Sequence, residues 1–167
     1  MLRTFRRKST VNTKHKSKYL VYKSAKDYII ELLIDKNDRN NLNRKVVDPR
    51  YAKYRVESAY VRRIYNKFNK NKLLTSINSD YDDKFMYKIG EIASTKYDSD
   101  INNVCTDGIH FYTTQKAAYY HDIHVYNSKF TGKSKMWRID GNIESICDYV
   151  NGKEDGEQLL FHHDTGK

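Results

Sequence analysis

Short apolar runs separated by polar turns predict a chain built mainly from β-strands. Residues Lys18–Lys23 alternate weakly, and Asp27–Asp35 holds a short apolar run followed by a charged turn, which favours a strand over a helix. Tyr54–Tyr65 alternates with a period of two and predicts one strand with a half-buried face. Phe85–Ile89 predicts a further strand, which ends at Gly90.

The segment after residue 104 predicts a turn, a strand and one short helix in succession. In Asp107-Gly108, the glycine supplies the left-handed residue of a tight turn, and Ile109–Tyr112 is typical of a short buried strand. Thr113 or Thr114 is expected to cap a helix over Gln115–His121. The Tyr or Ala face of that helix should lie on the sheet.

The C-terminal part is rich in glycine and nearly repeats itself. Asp122–Lys135 is predicted to be a linker, and Met136–Asn142 is then answered by Leu160–Gly166, with the glycine-containing stretch Tyr149–Glu157 between them. Aromatic residues, short strands and tight turns in this order are typical of β-hairpins. We therefore expect an α+β fold, mainly antiparallel β with one short helix, and a C-terminal β-hairpin extension.

Two segments resemble a known but uncharacterised domain. Val46–Arg55, and Cys105–Tyr112 together with Ala117–His121, resemble a domain that recurs in giant (mimivirus-like) DNA viruses of amoebae. In such proteins the domain is often followed by MORN-type repeats of the bacterial antitoxin-component kind, written roughly as Asn-Gly-Lys-x-x-Gly. Here Asn151–Gly156 fits that pattern, and Thr131-Gly132-Lys133 with the later Trp137 is a shortened copy.

The resemblance covers about residues 20–167 and is strongest from residue 84 onward, so the basic arm at 1–18 lies outside it. After the arm we expect an α+β core domain at 19–128 and degenerate MORN-like repeats at 129–167. Repeat units of this kind usually need about three copies to be stable. The hairpins are therefore expected to lean on the core domain or to stack against another molecule.

Charge divides the chain into two unlike parts. Residues 1–72 carry 21 Lys and Arg against 6 Asp and Glu, which is +15, whereas residues 73–167 carry 10 against 15, which is −5. The basic arm predicts contact with an anionic partner, either nucleic acid or an acidic protein face. Two alternatives are a solvated arm without a dedicated partner and a transit-type targeting segment. The basic residues of the arm are Arg3, Arg6, Arg7, Lys8, Lys14, Lys16 and Lys18.

Cysteine usage and hydropathy bear on the compartment. The chain has 2 cysteines and no secretory signal, so a reducing compartment is expected. Its apolar runs are far shorter than the ~20 residues that cross a bilayer, and no membrane partner is predicted.

Several residues are of types that carry chemistry. Cys105-x4-His110 and His121-x2-His124 supply zinc-ligand types at a spacing that fits no zinc class well, and Cys105 with His110 or His121 would be a thiolate–imidazole pair. The simpler interpretation is a buried, hydrogen-bonded His110 and a Cys105 that fills space as a small apolar residue. We therefore assign no catalytic residue, no metal and no cofactor. Whether the chain is an enzyme stays uncertain, leaning towards not.

Carboxylates and basic residues elsewhere allow similar alternatives. Two groups of aspartates are expected to be solvated turns: Asp80, Asp82 and Asp83, and then Asp98 and Asp100. Basic residues interleaved with tyrosines would hold phosphates and stack bases if they lay on an open sheet face. The favoured interpretation places these tyrosines in the core and these arginines at strand edges. The residues concerned are Arg50, Lys53, Arg55, Arg62, Arg63 and Lys67, with Tyr51, Tyr54, Tyr60 and Tyr65.

Together these features predict a non-enzymatic interaction or structural protein of a giant DNA virus that acts within a larger assembly. Its expected place is the viral factory in the host cytoplasm, or the virion. Protein partners are expected to dock on Trp137, Tyr149 and Phe161 of the hairpins. The alternatives are a sequence-tolerant nucleic-acid or ribonucleoprotein factor, and a Cys/His-centred enzyme or metal protein.

Overall fold

Antiparallel strands make up most of the chain in the computed structural model, which describes residues 18–162. In chain order the elements are β1 (Lys18–Ala25), β2 (Tyr28–Asp35), β3 (Lys53–Val56), β4 (Ser58–Asn66), β5 (Ser76–Asn78), β6 (Met86–Lys88), β7 (Ile92–Ser94), β8 (Ile109–Tyr112), α1 (Gln115–Tyr120), β9 (Gly132–Trp137), β10 (Ile143–Val150) and β11 (Lys153–Leu160). The prediction of a mainly antiparallel β fold with one short helix is confirmed for the described residues.

Six strands form the core sheet, in the order β3-β8-β1-β2-β4-β7. β3 and β4 are four positions apart in this order, which is about 19 Å in a flat sheet. Only Glu57 separates them in the chain, and the step from Val56 to Ser58 spans about 7.6 Å at most. The core sheet is therefore strongly curled, and its concave side encloses Ile30, Leu32, Val61, Ile64 and Phe111.

The single strand predicted over Tyr54–Tyr65 is wrong, because the chain divides at Glu57 into β3 and β4. β3 pairs with β8, whereas β4 pairs with β2. Tyr54 and Val56 are buried before this bend and Ala59 and Val61 after it, so the buried face switches from even to odd positions. The strand predicted at Asp27–Asp35 is confirmed as β2, and the helix predicted after Thr114 is confirmed as α1 with Thr114 as its N-cap.

Three further strands form the C-terminal sheet, in the order β11-β10-β9. The linker predicted over Asp122–Lys135 is partly wrong, because β9 begins at Gly132 and because Ile123 and Phe130 are buried against Tyr149. The C-terminal sheet packs on the core: the Trp137 ring stacks on Tyr51 with centroids 4.4 Å apart and planes 3° apart. The expectation that the hairpins lean on the core domain is met within this chain.

Backbone hydrogen bonds stabilise the junction between the C-terminal sheet and the core. The carbonyl of Asp140 accepts hydrogen bonds from the amides of Val47 (2.9 Å) and Asp48 (3.1 Å). Gly141 follows with φ +90°, and a Cβ atom at this position would lie 2.1 Å from the carbonyl oxygen of Asp48. Both the backbone conformation and the close approach therefore require glycine at 141.

Arg55 is fully buried and holds a long loop to the core sheet. Its guanidinium donates to the carbonyls of Asp98 (2.9 Å), Asp107 (2.8 Å) and Asp100, and lies over the ring of Tyr97. Its backbone amide donates to the side chain of Asn41 at 2.8 Å. Because several carbonyl dipoles accept from it, the charge is stabilised without a carboxylate partner.

We predict that Arg55→Lys destabilises the protein by about 3 kcal/mol, because a single ammonium cannot reach three carbonyls spread along one loop. Arg62→Lys is the matched control, since the Arg62 side chain is 54% exposed and only 3.5 Å from Glu31. Urea unfolding of both variants measures the difference. Equal midpoints for the two variants would contradict the role given to Arg55.

We predict that Gly141→Ala costs several kcal/mol more than Gly90→Ala. Both glycines have positive φ (+90° and +86°), so both substitutions carry about 1–2 kcal/mol of backbone strain. Only Gly141 is in close contact, since a Cβ on Gly90 would meet no atom within 4 Å. Thermal unfolding of the two variants measures the difference in stability, which gives the cost of the close contact because the backbone strain is common to both. A Gly141→Ala variant no less stable than Gly90→Ala would show that the junction is not close-packed.

Candidate functional site

A cleft lies beside β3 and β8. Its narrowest part, here called the neck, is lined by Lys23, Ser24, Lys53, Tyr81, His110, Tyr112 and His121. The neck shares Lys53, Tyr112 and His121 with a wider cavity of about 180 Å³ between α1 and the C-terminal sheet. It shares Lys23, Tyr81 and His110 with a cavity of about 230 Å³ beside Phe85 and Tyr87.

Strand register brings the neck residues together. β3 and β8 pair with Lys53 opposite Tyr112 and Arg55 opposite His110. Opposite residues of an antiparallel pair point to the same face, and neighbouring residues along a strand point to opposite faces. Ile109 and Phe111 therefore fill the core, while His110 and Tyr112 face outward with Lys53.

Two lysines of this region are almost completely buried. Lys23 is 6% exposed, and its Nζ donates to the carbonyl of His110 at 3.3 Å. Lys67 is 5% exposed, and its Nζ donates to the carbonyl of His121 at 2.7 Å, so it lies behind the neck. Among the described residues, no carboxylate lies within 4.0 Å of the Nζ of Lys23, Lys53 or Lys67.

Burial and mutual repulsion change the protonation of these groups. Burial first and then the charge of Lys53 lower the pKa of Lys23 to about 8, although Asp80 opposes the shift. Burial likewise lowers the pKa of Lys67 to about 8, against the attraction of Asp122, Asp27 and Asp80. Burial also lowers the pKa of Lys53, which Cys105 and Asp122 partly offset. The lowered pKa values show that burial and the repulsion between lysines outweigh the attraction of the nearby acids.

The two histidines of the neck are neutral at pH 7. Burial, followed by the charge of Lys53, lowers the pKa of His110 to about 4, and the hydrogen bond to Val104 opposes this. Burial also lowers the pKa of His121 to about 4, against the attraction of Asp122. The Tyr112 hydroxyl lies 3.1 Å from Nδ1 of His121, and burial raises the pKa of this phenol, so the phenol donates. Nε2 of His121 then faces Asp122 at 3.4 Å.

The wider cavity of about 180 Å³ combines aromatic surface with charge. Tyr120 and Trp137 meet edge to face, with centroids 5.8 Å apart, and both line it with Met136 and Ile139. The cations on its wall are Lys53, Lys135 and Arg138, and the acids are Asp122 and Glu144. Such a mixture of apolar walls and a few convergent charged groups is typical of a ligand site.

Most of the basic residues expected to bind an anionic partner are not among those that the structure describes. Arg3, Arg6, Arg7, Lys8, Lys14 and Lys16 lie outside the described residues. Lys18 is the first residue of β1 rather than part of an arm.

The three residues predicted for protein docking lie in different surroundings. Trp137 is stacked on Tyr51 and joins the two sheets. Tyr149 is only 8% exposed, beneath His124 and Phe130, so its ring does not form a docking surface. Phe161 is the one of the three that is exposed.

Cysteine and histidine do not form the sites considered for them. Nε2 of His110 lies 2.7 Å from the Val104 carbonyl, which agrees with a buried, hydrogen-bonded histidine. Cys105 is exposed, so its interpretation as a small apolar residue that fills space is wrong: it lies in the surface loop that precedes β8. His124 stacks on Tyr149 instead of facing His121. Within residues 18–162, no cluster of three or more His, Cys, Asp or Glu is placed to hold a metal ion.

The interleaved arginines and tyrosines do not form an open stacking face. Tyr54 and Tyr65 are 2% exposed and belong to the core, as the favoured interpretation predicted. Arg55, however, is buried rather than at a strand edge, because the loop carbonyls enclose it. The aspartates predicted to lie in turns do so: Asp82 accepts from the Lys84 amide and Asp98 from the Asp100 amide, each at 2.9 Å.

Sequence reasoning missed Lys23, and it named Lys53 and Lys67 only as an alternative, among the basic residues interleaved with tyrosines. One signal for Lys23 was present, because it alternates with Val21 and Ala25, which lie in the core. A lysine in phase with two core residues of a strand is unusual, since lysine is seldom fully buried without a partner. For Lys53 and Lys67 no such signal exists in the local pattern.

The fold and the cleft define a small antiparallel β protein with a lysine-rich cleft beside its helix. The chain belongs to a family of unknown function, DUF5758, which it matches over residues 9–118, more than half of its length. The match includes β1 to β8 and ends within α1, so the C-terminal sheet lies beyond it. No curated protein and no solved structure matches the chain. No helix among residues 18–162 has the length and apolar character needed to span a membrane.

We predict that acid destabilises this protein through the half-buried histidines of the neck. His110 has a pKa of about 4 when folded and 6.5 as the ordinary value, so between these values the unfolded chain binds more protons. The unfolding free energy therefore falls as the pH falls through this window, by roughly 1–3 kcal/mol for this residue. His110→Gln, which keeps an N–H donor for Val104, should flatten the pH dependence. His162→Gln, at an exposed position, should not.

Denaturant unfolding at pH 7 and pH 4.5 checks this prediction. If the two variants lose stability with acid to the same extent, His110 does not carry the effect.

Proposed function

We propose that this chain is a non-enzymatic interaction protein of a giant DNA virus that works within a larger assembly, at the viral factory or in the virion. The viral origin rests on the resemblance of Val46–Arg55 and Cys105–Tyr112 to a domain of such viruses, and the MORN-type nature of the C-terminal sheet rests on Asn151–Gly156. The observation that carries the interaction role is the outer edge of β11.

β11 is a long strand, and one of its edges is unpaired among residues 18–162. It hydrogen-bonds to β10 on one side only, and all eight of its residues are exposed. Its C-terminal end is apolar, with Leu159 and Leu160 44% and 64% exposed and Phe161 directly after them. An exposed, unpaired strand of this length and character is a template for pairing with another chain.

Charge supports a second copy of this chain as the partner. β11 carries Glu154, Asp155 and Glu157 against Lys153, in the half of the chain that is net acidic. The basic arm of a second copy, with Arg3, Arg6 and Arg7, is complementary to this strand. Contact between unlike surfaces of successive copies builds an open assembly instead of a closed dimer.

We predict concentration-dependent self-association at low salt that Leu160→Lys weakens at least about tenfold, because the ammonium is placed on the pairing edge. Leu73→Lys is the matched control, since Leu73 is similarly exposed (54%) and lies away from the C-terminal sheet, opposite Tyr65. Sedimentation velocity measures the association. A protein that stays monomeric at every concentration would overturn the proposed assembly.

A second set of variants tests the role of the arm. Arg3, Arg6 and Arg7 changed together to Gln should abolish the association, because the charges facing β11 are lost. Lys84, Lys96 and Lys116 changed together to Gln alter the net charge equally, at three exposed positions, and should leave the association intact. If the arginine variant loses salt-sensitive RNA binding while self-association persists, the nucleic-acid alternative replaces this proposal.

A further inference from the structure

The neck holds positive charge that the described residues do not neutralise. Lys23 and Lys53 both line it, and the Nζ of Lys23 donates to the backbone carbonyl of His110. Desolvating an ammonium without an opposite charge is costly. Proteins retain such an arrangement chiefly where it serves a site, and perturbed titratable groups in a cleft are typical of sites.

We propose that this cleft binds a small phosphate monoester with a planar ring, with a phosphoryl oxygen between Lys53 and Lys23 and the ring beside Tyr120 and Trp137. The inference goes beyond the proposed assembly and does not depend on it, because β11 lies at the opposite edge of the C-terminal sheet from β9, which carries Trp137.

The dimensions of the cleft orient the ligand. The neck has a volume of about 10 Å³, which is close to the space that one water molecule needs. It therefore admits a single oxygen atom, and the rest of the ligand lies in the cavity of about 180 Å³ beside it. That cavity is lined by Tyr120, Met136 and Trp137, which favour a flat apolar group.

Charge favours a phosphate over a neutral or singly charged group. Lys53 lines both the neck and the wider cavity, and Lys135 and Arg138 add two cations to the wall of the latter. Asp122 and Glu144 are the opposing acids, and Asp122 already faces Nε2 of His121. A phosphate dianion matches several ammonium donors better than a carboxylate does.

The cavity of about 180 Å³ is lined both by the family domain with its helix and by the C-terminal sheet. Lys53, Tyr112 and Tyr120 come from the family domain or its helix, whereas Trp137 and Arg138 come from the C-terminal sheet beyond the family match. Recognition of the phosphate is then a property of the domain, and choice of the ring is a property of the C-terminal sheet.

Calorimetric titration of the full chain tests the proposal with five probes. Adenosine monophosphate should bind, adenosine and ribose 5-phosphate should each bind at least about tenfold more weakly, and inorganic phosphate should bind most weakly of all. Benzoate serves as the planar carboxylate. Binding of benzoate as tight as that of the monophosphate would overturn the assignment to phosphate.

Three variants locate the site. Lys53→Met and Lys23→Met should each weaken binding of adenosine monophosphate at least about tenfold. Lys116→Met removes a lysine that is exposed on α1 and lies over Tyr51 outside the cleft, so binding should be unchanged. Lys23→Met should also keep or raise the melting temperature, because it removes a buried ammonium without an ionic partner.

The melting temperature distinguishes a lysine that binds the ligand from a lysine that only stabilises the fold. A Lys23→Met protein that binds normally would overturn the proposal, as would one that loses its fold together with its binding while Lys53→Met binds normally. Failure of all phosphate-containing probes to bind would overturn it as well, and self-association through β11 would be unaffected.

Discussion

The buried guanidinium of Arg55 is the interaction on which the rest of the structure depends. Three carbonyls of the 98–107 loop accept from it, and Asn41 accepts from its backbone amide, so one residue of β3 holds two loops. The glycine that ends the longer loop, Gly108, has φ +139° and lies against Arg55, where a Cβ would be 3.0 Å from the Cβ of Arg55. β8 begins directly afterwards, so the hydrogen bonds between Arg55 and the 98–107 loop also position His110 and Tyr112.

The cleft exists because two sheets meet at a junction made largely of backbone. The Asp140 carbonyl accepts from Val47 and Asp48, the Ile139 carbonyl accepts from the Arg44 side chain at 2.8 Å, and Gly141 permits the close approach. Backbone contacts of this kind tolerate little displacement, because the donors and acceptors are fixed to the chain. The wall formed by Trp137 is therefore held against α1, and the charged neck and the aromatic cavity keep a constant geometry.

Elements determined by local pattern were predictable, and those determined by pairing were not. β2, α1 and the Thr114 cap follow from apolar runs and capping chemistry within a few residues. The division of Tyr54–Tyr65 into β3 and β4 was missed because both halves alternate with the same period. Only the partners differ, since β8 pairs with one half and β2 with the other. The packing of Trp137 and Tyr149 was not predicted for the same reason: aromatic residues in hairpins are equally suited to a docking surface and to a small core.

The sequence by itself determined the strand-rich class, the short helix, the glycine turns and the division of charge between the two ends. Each of these depends on side chains close together in the chain, whose steric and hydrogen-bonding preferences act locally. Only the tertiary structure decided that Lys23 and Lys53 share one neck, with Lys67 behind it, and that the rings of Tyr120 and Trp137 close one cavity. These groups come from distant parts of the chain, and the free energy of an ammonium depends on burial and neighbouring charges, which exist only once the sheets have folded together.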